Sequence, residues 1–72
     1  MTKEIFMIEE ISKEIIILLM EERGLSMEEA FDTLYNSDTY RRLSNTDTGL
    51  FSQSTPYVYE YLVNEIETGK MA

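Results

Sequence analysis

Met7-Ile-Glu-Glu-Ile11-Ser-Lys-Glu-Ile15-Ile-Ile-Leu-Leu-Met20-Glu-Glu-Arg-Gly24 is the stretch whose periodicity decides the fold. Met7, Ile8, Ile11, Ile15, Leu18 and Leu19 recur at spacings of three and four, which lays one apolar stripe along a helix. The helix is expected over residues 2–23. Gly24 ends it, because glycine relieves the left-handed turn of a Schellman closure, with Leu25 placed to touch Met20. The run Ile15 to Met20 taken alone also fits a buried strand, but the upstream stripe and the glycine favour helix. It is too short to span a bilayer, and acids bracket it.

A second apolar set on the same helix, Ile5, Phe6, Ile16, Ile17 and Met20, falls outside the main stripe. Two buried faces in so short a chain mean either a central helix wrapped by the others or a helix shared with a second copy. The expectation leans to a homodimer through these five residues, because the remaining elements are short and a domain this small is only marginally stable alone.

Outward from the first helix, Ser26 and Glu29 form a capping box, and Leu25 can staple against Ala30. The second helix is expected over 27–35, with Met27, Ala30, Phe31 and Leu34 inward and Tyr35 at the edge. Asn36-Ser37-Asp38 breaks the pattern and caps a short helix over 38–43. A polar loop, 44–55, turns at Asp47-Thr48-Gly49 and tucks Leu50 and Phe51 onto the core. Thr55 is expected at the cap and Pro56 at the first helical position of a fourth helix, 56–68, which Gly69 and Lys70 suit as an end. The whole reads as one all-α domain over 1–72, a bundle of three or four helices with the long N-terminal helix as its spine.

The 72 residues include 14 acidic and 6 basic ones, a net charge of −8, with neither cysteine nor histidine. Disulfides and the commonest zinc sites are therefore excluded, and no cofactor is expected. The acidity repels phosphate backbones and anionic lipid and favours, if anything, a basic protein partner. The acids among the first ten residues do not suit a signal peptide, so a cytoplasmic location is expected.

Catalysis is not expected. Ser52 and Ser54 have no histidine base, no Gly-rich phosphate loop occurs, and adjacent glutamates on a helix point about 100° apart with no pocket to tune them. Asn45-x-Asp47-x-Gly49 superficially suits a calcium loop, but Pro56 stands where the bidentate glutamate belongs. Residues 25–43 resemble a helix-turn-helix DNA-binding unit. Leu34 replaces the usual turn glycine, however, Asp38 opens the would-be reading helix, and the charge is wrong.

In the last helix, Val58, Tyr59, Leu62, Val63 and Ile66 share one arc, which makes Tyr59 a core residue. Tyr57 and Tyr61 lie together on the flank. With Phe51 and Gln53 they form a candidate interaction surface, since a phenol offers apolar area and a hydroxyl at low entropic cost.

Thr48-Gly49-Leu50-Phe51-Ser52-Gln53-Ser54, followed by Tyr57-Val58-Tyr59, resembles a segment of small uncharacterised bacterial proteins, a domain of unknown function found mainly in gut and other anaerobic Gram-positive species. The preceding Gly24-Leu25-Ser26 and Glu28-Glu29-Ala30 fit the same pattern. The resemblance implies a bacterial protein and brings no activity, cofactor or site residue with it. The expected role is a non-catalytic interaction or regulatory module with a protein partner. A helix-turn-helix regulator or an acidic nucleic-acid mimic are the alternatives.

Overall fold

Local signals place each helix in the computed structural model, which describes residues 2–69. The Thr2 hydroxyl accepts from the Ile5 amide and starts α1, Lys3–Arg23. Gly24, at φ 69°, ends it, and the Gly24 and Leu25 amides both turn back to the Leu19 carbonyl. Ser26 and Glu29 close the expected capping box at the head of α2, Met27–Tyr35, with reciprocal bonds of 3.1 and 2.9 Å.

Ser37 caps α3, Asp38–Ser44, and two short 3-10 turns follow at Thr46–Thr48 and Leu50–Ser52. Gly49 joins these turns at φ 72°, a conformation that suits glycine and few other residues. The last helix, α4, spans Thr55–Thr68. Its cap is one residue earlier than the sequence suggested: Ser54 accepts from the Tyr57 amide, while the Thr55 hydroxyl donates across to the Glu14 carboxylate and ties α4 to α1. Two hydroxyls side by side offered the same capping chemistry, and only the contact with α1 separates their roles. Gly69 ends α4 in the left-handed conformation; the expected help from Lys70 lies outside the described residues.

The architecture is all-α, with α1 as the spine and no strand among the described residues. Ile8, Ile11, Ile15, Ile16 and Leu19 of α1 meet Ala30 and Leu34 of α2, Leu43 of α3, Leu50, and Val58 and Leu62 of α4. The radius of gyration, 11.3 Å, equals the roughly 11 Å expected of a compact chain of this length, so the core closes within one copy.

Packing corrects two assignments. Ile16, expected on the outer face, is buried, only 6% exposed. Met27 and Phe31, expected inward, are 58% and 41% exposed. At about 100° per residue, α2 aims Ala30 and Leu34 at α1, which turns Met27, Phe31 and Tyr35 progressively to the flank. A nine-residue helix seated by one alanine and one leucine covers only a narrow strip.

Candidate functional site

Two surface regions collect residues whose chemistry the core does not consume. The first is a groove between α1 and α2, of about 360 Å³, lined by Ile16, Ile17, Met20, Met27, Phe31 and Tyr35, with Glu9 and Lys13 at its rim. Its aromatic wall is ordered. Phe31 stacks on Tyr35 at 5.5 Å between centroids, and Tyr35 meets the edge of Tyr40 at 4.6 Å. Burial, then Tyr40 and Glu9, push the Tyr35 phenol above its ordinary value, so it stays protonated.

Of the five residues expected on an outer face of α1, Ile5, Phe6 and Ile17 are exposed at 46%, 55% and 44%. Met20 is half-buried in the groove, and Ile16 forms its floor. Phe6 lies on the same helical face, about two turns before Lys13. The apolar strip therefore continues past the groove toward the N-terminal end of α1.

The second region is a cleft of about 140 Å³ between the loop after α3 and the flank of α4. It is lined by Arg42, Thr48, Gly49, Leu50, Gln53, Tyr57 and Tyr61. Tyr57 and Tyr61 stand one turn apart with ring centroids 5.3 Å apart and hydroxyls within 3.3 Å. The hydrogen bond to Tyr61 is the main reason the Tyr57 phenol is raised, followed by the charge of Tyr61 and by burial. Gln53, Tyr57 and Tyr61 are thus brought together as the sequence suggested. Phe51 is not among the cleft's lining residues and packs half-buried against the core.

Arg42 and Thr48 were missed as members of this cleft. Arg42 sits in sequence beside Arg41, but Arg41 pairs with Asp38 at 3.1 Å, whereas Arg42 has no ion pair among the described residues. Thr48 is held with its hydroxyl donating toward the Arg42 and Asn45 carbonyls and accepting from the Leu50 amide. That network fixes the cleft's floor.

Glu65 was also missed. Its carboxylate accepts from the Asp38 amide at 2.8 Å, the Thr39 amide at 2.9 Å and the Thr39 hydroxyl at 2.8 Å. Desolvation raises this carboxyl, but the three hydrogen bonds, with Arg41 nearby, outweigh it and hold the group below its ordinary value. Residues 25–43 do form two helices joined by a tight turn, yet the N-terminus of the second one is occupied by Glu65.

No cluster of three or more acidic, cysteine or histidine side chains suited to a metal occurs among the described residues. No described helix is long and apolar enough to cross a membrane. Family models, curated proteins and solved structures each yield no match to the chain, so its character rests on its own residues and their geometry.

Proposed function

We propose that the chain is a non-catalytic interaction module that pairs with a second copy of itself through the α1–α2 face. The open apolar groove, continued by Phe6, carries this reading. Contiguous exposed apolar surface of this kind marks a contact site on a small soluble domain. Here it includes three aromatic rings, the residue type that contributes most to interfaces.

Charge favours a second copy as the occupant. Lys13 is flanked within one turn by Glu9 and Glu10 on the exposed side of α1. Two copies laid antiparallel about a twofold axis, at the level of Ile11 and Ser12, set each Lys13 against the acids of the other. The same register sets each Phe6 against the other copy's Ile17. One face thus supplies both halves of a self-complementary contact, as a twofold interface requires. A helix-turn-helix role is weaker, because the α3 end that would enter a DNA groove already holds a carboxylate of the same chain.

Sedimentation equilibrium tests the pairing. The expected result is a reversible dimer. Ile17→Glu, at a half-exposed position, is expected to return the protein to a folded monomer. A compact wild-type monomer at the highest attainable concentration refutes the proposal.

A further inference from the structure

We propose that the cleft between the loop after α3 and α4 is an anion site that takes one carboxylate group, gripped by the Arg42 guanidinium, the Tyr57–Tyr61 hydroxyl pair and the Gln53 amide. This site shares no residue with the α1–α2 groove and does not depend on self-association.

The lining is the first observation. In a chain of net charge −8, the cleft contains a cation and no carboxylate. Its Arg42 has no ion pair or side-chain hydrogen bond within the described residues, and neither does the side chain of Gln53. A guanidinium presents a planar fork that matches a carboxylate with two parallel hydrogen bonds.

The tyrosine pair supplies a further donor. When one phenol donates to the other across 3.3 Å, the acceptor's own proton remains free to point outward. The Tyr57 phenol, raised chiefly by that bond, stays protonated near neutral pH. The Thr48 hydroxyl is committed to the loop, so it shapes the cleft and leaves the ligand to the other groups.

Size and charge then select the ligand. About 140 Å³ lies below the roughly 300–1,000 Å³ typical of pockets that enclose a whole small molecule, so the cleft accommodates one functional group. A single cation balances a monoanion. A phosphate dianion would leave a charge uncompensated in the field of an acidic protein. The carboxylate can belong to a small free acid or to the C-terminus of a peptide, and the same contacts serve both.

Nitrogen-15 NMR titrations of the full chain with acetate, N-acetylglycine and inorganic phosphate, at constant ionic strength set with chloride, test the site. Acetate is expected to shift the Gln53 side-chain amide and the Gly49 backbone amide saturably, with a millimolar Kd. Tighter binding of N-acetylglycine identifies a peptide C-terminus as the source, and equal binding a small free acid. Arg42→Gln, at an exposed position, is expected to keep the fold and weaken acetate at least about tenfold, the scale of losing a charge-assisted pair. Tyr57→Phe/Tyr61→Phe keeps the rings and is expected to weaken it severalfold. No saturation with acetate, unchanged affinity in either variant, or tighter binding of phosphate than of acetate overturns the proposal.

Discussion

Removing the Glu65 carboxylate tests how α4 holds α3 in place. An α-helix starts with four amides that lack intrahelical partners. In α3 each has an identified acceptor: the Leu34 carbonyl takes that of the cap residue Ser37, the Glu65 carboxylate those of Asp38 and Thr39, and the Ser37 hydroxyl that of Tyr40. Glu65→Ala strands two of these amides and the hydroxyl of Thr39, a residue with no exposed surface.

A buried donor left unpaired costs about 1–3 kcal/mol. Water can reach the Asp38 side of this contact, which discounts the charged part, so a total near 2 kcal/mol is expected. For a domain of this size that lowers Tm by about 8–16 °C. Glu67→Ala, at an exposed position of the same helix, is the control and is expected to change little.

Stability against pH gives an independent check. The folded carboxyl titrates below its ordinary 4.5, so the unfolded chain takes up the proton first as pH falls. The stabilisation is complete above the unfolded value and is lost as pH drops through the depressed folded value. Glu65→Gln, which keeps an acceptor but cannot ionise, is expected to be less stable than wild type at neutral pH and to converge with it in acid. Urea unfolding across this range measures both effects. A Glu65→Ala loss below about 0.5 kcal/mol, or a wild-type advantage over Glu65→Gln that stays constant into acid, refutes the argument.

Two further substitutions separate core from cap. Leu19→Ala, fully buried at the C-terminal end of the α1 stripe, is expected to cost about 2–5 kcal/mol and to unfold much of the population, seen as lost helical circular dichroism at 37 °C. Ser54→Ala is expected to cost about 1 kcal/mol through loss of the α4 cap, measured as a lower urea midpoint with an unchanged slope.

How much of this was legible in the chain follows from the range of the forces. The helices, their order and most of their ends were readable, because a cap, a glycine turn and a period of 3.6 act within four or five residues. Gly24, the Ser26–Glu29 box, Ser37 and Gly49 each act on their immediate neighbours. The pairing of Tyr57 with Tyr61 was legible for the same reason, since they stand one turn apart. Thr55 was misread where a contact 41 residues away, with Glu14, chose between two adjacent hydroxyls.

Everything that depends on how helices meet had to wait for the tertiary structure. Met27 and Phe31 carry the residue types of a core face, yet only the angle at which Ala30 and Leu34 seat α2 on α1 leaves them in an open groove. Arg42 directly follows Arg41 in α3, yet only the packing of α3 beside α4 places it with the tyrosines. Glu65 is one of 14 acids in the chain, and its role comes from amides 26 and 27 residues away. Sequence by itself determined which segments are helical, because that free energy is local. Which faces stay uncovered, and which polar groups find each other, was decided by packing, because those contacts exist only once the chain has closed on itself.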